Sequence, residues 1–209
     1  MKSAALKRPY RQTARAAAAE ATRERILDAF IDRMRESWFD EIRLEEVARD
    51  AQVTVQTVIR RFGGKDGLLE AMHERSDREI RMRRAVRPGD LQGAVRVLTE
   101  DYEAIGGLIL RLLAQEDRYP AVKRLTDVGR AAHRGWIREV FAPWLQALPA
   151  AEAERRLDGL VAAMDLYVWK LVRRDMRRPI AEYQALVRRL VLAVLDAGTA
   201  DPSQLTTGE

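Results

Sequence analysis

No cysteine occurs among the 209 residues, which excludes disulfides, thiolate metal sites and a cysteine nucleophile and fits a reducing compartment. Histidine is nearly as scarce. His73 and His133 are the only two, and they lie far apart without metal-ligand spacing. GxSxG, HExxH and phosphate-loop patterns are missing, and no pair of carboxylates stands out as an acid and a base. An enzyme, a metal site or a cofactor is therefore not expected. No stretch approaches the roughly 18 uninterrupted apolar residues of a membrane span. The start, MKSAALKRPYRQTARAAAAE, also lacks the apolar core of a secretion signal, so a cytoplasmic protein with no membrane partner is expected.

Glycine (12) and proline (7) punctuate the chain rather than dominate it, and 47% hydrophobic against 33% charged residues is a globular balance. Most of the chain should fold, as one medium domain or as a small domain joined to a larger one. The net charge of +5 points weakly to a polyanionic partner. Its distribution says more. Before Glu20 the only charges are Lys2, Lys7, Arg8, Arg11 and Arg15, so residues 1–19 are expected to form a flexible basic arm, with Arg15 a candidate DNA contact.

Strand alternation of any length is also missing, and helical periodicity recurs throughout. From Thr22, the residues Ile26, Leu27, Phe30, Ile31 and Met34 form one apolar stripe. Val47, Ala48 and Ala51 mark the inner side of a second, short helix from Leu44. Val53 closes a turn, and Thr54 is placed to cap a third helix. In that helix Val55, Val58, Ile59 and Phe62 are expected to share the packed side, with Gln56, Thr57, Arg60 and Arg61 on the other, before Gly63-Gly64 ends it. A fourth helix is expected over 65–86, with Pro88-Gly89 as the boundary beyond it. Further helical patterns cover 91–113, 121–148, 152–174 and 180–196.

Two short helices around a tight turn form a helix-turn-helix, whose second helix can present its N-terminal side chains to the major groove. Gln56 can then pair with adenine and Arg60 with guanine, while Thr57 can touch a base or a phosphate. Arg61 and Lys65 would grip phosphates. With Arg15, Thr22 and Thr54 these make up the expected DNA-binding set.

The segments TRERILDAF (22–30), LEEVARDAQVTVQTVIRRF (44–62) and GKDGLLEAM (64–72), in this order and spacing, resemble the TetR family of transcriptional regulators. The sequence departs from the family pattern in two ways. Gln52 stands where the turn usually has glycine, and Ile59 and Arg61 replace usual aromatics, so that a phosphate contact would pass to Arg61. The resemblance implies a homodimer that binds a palindromic operator, usually represses, and leaves DNA when a small molecule occupies the C-terminal bundle. It implies a helix-turn-helix domain over 20–66 and a regulatory and dimerisation domain over 67–198, with a flexible tail at 199–209. A non-specific or architectural nucleic-acid binder on the same fold is the alternative.

For the effector, the expected pocket residues are Tyr102, Ile105, Trp136, Val140, Met164 and Tyr167, large or pliable side chains in mid-helix positions. Glu116 and Asp117 could favour a cationic ligand. For the dimer, the broad apolar stripes of the last two long helical patterns nominate Leu160, Met164, Val168, Leu171, Val187, Leu190, Val191 and Val194. RRDMRRP at 173–179 is expected to be a solvated helix end rather than a second DNA site.

Overall fold

The computed structural model describes residues 7–196, with side chains from residue 15 onward. The expected tail at 199–209 and the first six residues of the expected arm lie outside the described residues. Among those described there are ten α-helices and one π-helical segment, with no strand, so the fold is all-α as the periodicity requires.

The helices are α1 (Lys7–Glu36), α2 (Leu44–Asp50), α3 (Val55–Phe62), α4 (Lys65–Arg83), α5 (Leu91–Leu113), α6 (Pro120–Val140), α7 (Ala142–Leu145), α8 (Ala150–Ala163), α9 (Leu166–Trp169) and α10 (Ile180–Asp196). The π-helical segment Lys170–Asp175 follows α9 directly. Helix α1 begins well inside the segment expected to be a flexible arm. Ala16 to Ala19 and Ala21 explain the difference, since alanine has the highest helix propensity.

The chain divides into two compact units. One runs to Asp77 and takes in Arg111–Leu125; the other comprises Arg78–Leu110 and the residues from Thr126 onward. The division falls within α4, α5 and α6 rather than at residue 66 or at Pro88-Gly89. Gly89 instead belongs to the second unit, where its N–H donates to the Val140 carbonyl at 2.8 Å.

In the first unit, Ile26, Leu27, Phe30 and Met34 of α1 are fully buried with Val47 of α2, Val58 of α3 and Leu68 of α4. Polar groups tie the edges. Arg33 spans from α1 to α2, meeting Asp50 at 2.6 Å and Glu46 at 2.7 Å. Arg75 of α4 meets Glu24 at 2.8 Å and Asp28 at 2.7 Å on α1. The buried Gln115 accepts from the Phe39 N–H at 2.7 Å and donates to the Arg111 carbonyl at 2.9 Å, fastening the α1–α2 link to the α5–α6 turn. Phe39 and Tyr119 pack edge to face beside it, with ring centroids 5.7 Å apart.

In the second unit, α8 and α10 pack closely because Gly159 leaves room for Val194; a Cβ there would lie 2.9 Å from Val194 Cγ1. Two of the expected long helices are broken. The 121–148 pattern divides at Phe141, where Pro143 at the start of α7 has no N–H to continue the ladder. The 152–174 pattern breaks after Ala163. Asp165 restarts it as α9 by accepting from the Tyr167 N–H at 2.7 Å, and the π-helical turns then shift its phase again.

The α2–α3 turn carries a local strain. Gln52 has φ 56°, a left-handed conformation disfavoured for a residue with a Cβ by roughly 1 kcal/mol. Gln52→Gly should therefore raise unfolding stability by about 1 kcal/mol; denaturant titration of the full chain checks it, and a destabilised variant would show that the Gln52 side chain makes a compensating contribution.

Candidate functional site

The geometry of α3 starts with the turn before it. At the end of α2 the Val53 N–H reaches the Ala48 carbonyl at 2.9 Å and the Gln52 N–H reaches Arg49 at 3.0 Å. These paired bonds around a left-handed residue are a Schellman motif, which satisfies carbonyls the helix leaves unpaired. Two residues on, Thr54 is extended and its Oγ1 accepts from the Thr57 N–H at 3.2 Å, capping α3. Gly63, at φ 77°, ends the helix and donates to the Ile59 carbonyl at 2.8 Å.

Only Val58 of α3 is fully buried. Gln56, Arg60 and Arg61 are exposed, and Thr57 is half-buried with its hydroxyl 2.9 Å from that of Thr54. Gln56 and Arg60, four residues apart, share an outward edge. Ile59 corrects the sequence expectation. It is 42% exposed rather than packed, so the outward edge carries one apolar side chain.

The other expected contacts divide. Arg15 is exposed near the start of α1. Thr22 is half-buried, and its hydroxyl donates to the Ala18 carbonyl at 2.8 Å. Lys65 has partners within the unit: its ammonium donates to the Phe39 carbonyl at 2.9 Å and the Asp40 carbonyl at 3.2 Å and lies 5.0 Å from the Phe39 ring centroid. It is held by the α1–α2 link, because its half-buried stem directs the charge there. Its role is to position the start of α4.

The dimer candidates also divide. Leu160, Met164, Val187 and Val191 are completely buried inside the second unit, which removes them from any surface offered to another copy. The broken α8–α9 register and the close α8–α10 packing turn those positions inward. Leu171 and Leu190 remain exposed, and Val168 and Val194 half-exposed. Tyr167, expected in a pocket, is 58% exposed; with Leu192 at 48% it adds to the outward apolar set. In RRDMRRP, Arg173 turns inward to pair with Glu103 at 2.7 Å, while Arg174 lies 5.0 Å from the Trp169 ring centroid. Glu116 and Asp117 belong to the first unit.

The remaining pocket candidates are buried or half-buried in the second unit, and three of them surround a polar centre that sequence reasoning missed. Asp101 of α5 is fully buried and held by two arginines, Arg84 at 2.6 Å and Arg83 at 2.9 Å. Arg84 also meets His133 Nδ1 at 3.1 Å. Its guanidinium sits 5.4 Å from the Tyr102 ring centroid and 5.5 Å from that of Trp136. The Trp136 indole donates to the Arg84 carbonyl at 3.0 Å, and the Tyr102 hydroxyl donates to the Met164 carbonyl at 3.1 Å. Ile105 is half-buried and Val140 fully buried. The available signal was Asp101-Tyr102 standing in the apolar stripe of Ala94, Val97, Leu98 and Ile105, a charge where the period demands a core residue.

Burial, and then the Arg84 charge, pull the His133 imidazole down to about 3. Burial pushes the Tyr102 and Tyr183 hydroxyls well above the usual phenol range. His133 is thus neutral in the folded chain while an unfolded histidine titrates near pH 6.5. As pH falls from about 6.5 towards 3 the unfolded state takes up the proton first, so stability is lost across that window. His133→Gln should remove part of this loss, at most about 1.4 kcal/mol per pH unit. Denaturant unfolding of both forms at pH 7 and pH 5 measures it, and parallel losses would mean that His133 is solvated.

Residues 26–72, from the buried half of α1 to the start of α4, match the family of bacterial regulatory proteins, tetR family. The chain is 29% identical over 157 residues to the HTH-type transcriptional regulator BetI of Paraburkholderia xenovorans (strain LB400), covering 70% of this chain and 79% of that one. In fold it is similar to a tetR-family transcriptional regulator from Streptomyces coelicolor, with TM-score 0.66 and 23% identity over 86% of this chain and 83% of that one. Salmonella enterica GusR is similar at TM-score 0.67 and 18% identity, over 84% and 95% of the two chains. The capped turn, the outward edge of α3 and these likenesses agree: residues 26–72 match the tetR family of bacterial regulatory proteins, and the chain as a whole is similar to transcriptional regulators of that family.

Proposed function

We propose that the chain binds a palindromic operator as a homodimer, represses transcription there, and is released when a small molecule occupies the second unit. The observation that carries the DNA-reading part is the outward edge of α3, where Gln56 and Arg60 stand exposed beyond a capped N-terminus. Gln56 suits the paired donor and acceptor of adenine, Arg60 the two acceptors of guanine, and the exposed Ile59 suits a thymine methyl. Arg61 at the flank suits a phosphate, which holds the reader without specifying sequence.

Two recognition helices meet successive major grooves on one face of DNA when they lie about 34–36 Å apart, which is the physical reason for a dimer. Exposed Leu171, Leu190, Leu192 and Tyr167 offer an apolar surface for it. A ligand that favours a different spacing weakens DNA binding, and by linkage DNA weakens the ligand equally. No described helix is long and apolar enough to cross a membrane.

Selection from a random DNA pool with the purified chain should return a palindrome preferred over a scrambled control by about a thousandfold at fixed salt. Gln56→Ala should relax preference at one position in each half-site; a uniform small loss across all sequences would instead indicate a non-specific binder. Arg61→Ala should weaken binding to every sequence and lower the salt slope by about one. Leu190→Arg should yield monomers in sedimentation, and an intact dimer would move the interface elsewhere.

A further inference from the structure

Ile59 is the one large apolar side chain of α3 that stands in solvent, at 42% exposure. A lone exposed isoleucine needs no explanation on an ordinary surface, but this one has particular neighbours. At about 100° per residue, Ile59, Gln56 and Arg60 follow one another round the helix within an arc of about 100°. The three form one continuous edge. The other side chains of α3 are engaged or face elsewhere. Val58 is buried, Val55 and Phe62 are half-buried, and the Arg23 guanidinium lies 5.9 Å from the Phe62 ring centroid. The Thr57 hydroxyl is 2.9 Å from that of Thr54, and Arg61 falls about 100° beyond Arg60, outside the arc.

An alkyl side chain can neither donate nor accept, so on a major-groove floor its one specific partner is the C5-methyl group of a pyrimidine. The β-branch of isoleucine holds χ1 in one rotamer on a helix, which leaves little side-chain freedom to lose on contact. Its reach is also bounded. Along the helix axis Ile59 lies about 1.5 Å from Arg60 and about 4.5 Å from Gln56, against about 3.4 Å per base pair. The methyl group therefore belongs to the base pair that Arg60 reads, or to the next one towards that of Gln56.

We propose that Ile59 reads the C5-methyl group of one pyrimidine in each half-site, so that operator affinity depends on that methyl whether thymine or 5-methylcytosine carries it. The inference rests on the operator binding proposed above and adds a chemical mark to it: methylating a cytosine at this position strengthens binding without a change of sequence. Burial of one methyl group against Ile59 is worth about fourfold in affinity, and about fifteenfold when both half-sites contribute.

The test uses the full-length protein and the operator duplex selected from the random pool. Exchanging each thymine for deoxyuridine removes the methyl group and leaves every hydrogen-bonding group in place; exchanging each cytosine for 5-methylcytosine does the reverse. At one symmetric position the methylated member of each pair, thymine over deoxyuridine and 5-methylcytosine over cytosine, should bind about fifteenfold more tightly when both half-sites are changed. Ile59→Ala should abolish both differences and Ile59→Val should keep part of them, with the unfolding midpoint of each variant showing that α3 still packs. A palindromic operator whose affinity answers to no such exchange, or a methyl effect undiminished in Ile59→Ala, would overturn the methyl reading and leave operator binding standing. A pool that returns no preferred sequence would overturn both.

Discussion

The exposure of the outward edge of α3 depends on one tight turn. Between α2 and α3 the backbone has four residues in which to end one helix and start another. It does so by satisfying the groups that helix ends leave unpaired: Ala48 and Arg49 carbonyls through the Schellman bonds, and the Thr57 N–H through Thr54. With the turn closed and Val58 seated in the core, the outward positions of α3 are determined by helical geometry alone. Gln52 bears the conformational cost of this arrangement, where glycine would bear none. Outside the turn, Arg33 and Arg75 hold α1 to α2 and α4, and Lys65 anchors the start of α4 to the carbonyls of the α1–α2 link. The cations of the first unit therefore have two uses. Those facing carboxylates or carbonyls shape the unit, and those exposed on α3 remain available to a polyanion.

The second unit has a different organising constraint, a carboxylate buried in the middle of α5. A charge without solvent is tolerated only when paired and hydrogen-bonded, and Asp101 draws in Arg83 from the end of α4 and Arg84 from just beyond it. Arg84 in turn orients His133 and is flanked by the rings of Tyr102 and Trp136. Such a centre makes a poor contribution to stability compared with apolar packing of the same volume, but it fixes which side chains face one another and in which protonation state. His133 is held neutral by burial and by the neighbouring Arg84 charge.

Much of the first unit was legible in the sequence because its signals act over a few residues. Thr54 as a cap, Gly63 as a stop, Gln52 in the left-handed turn and the stripe from Ile26 to Met34 all follow from bonds or faces spanning four residues or fewer. Ile59 was misplaced because it lies at the margin between the packed and outward sides of an eight-residue helix, where neighbours decide exposure. Lys65 looked free for phosphate because its partners, the carbonyls of Phe39 and Asp40, lie 26 and 25 residues away along the chain. In the second unit, the stripe from Leu157 to Val172 looked continuous. The Asp165 cap and the π-helical turns interrupt its phase, and half of the expected dimer residues became core.

What the sequence by itself determined is the helical class, the turn that presents α3, and the likeness of residues 26–72 to the tetR family, since periodicity, capping and turn chemistry are local and are written residue by residue. What only the tertiary structure decided is which apolar residues stay outside and which polar groups are left unpaired inside. Leu160 and Val191 are core while Leu190 and Leu192 are surface, and the buried Tyr183 hydroxyl has no hydrogen-bond partner among the described residues. Both outcomes depend on partners far away in the chain. A helical period states that a residue has a face, but only the packed neighbours state what that face meets.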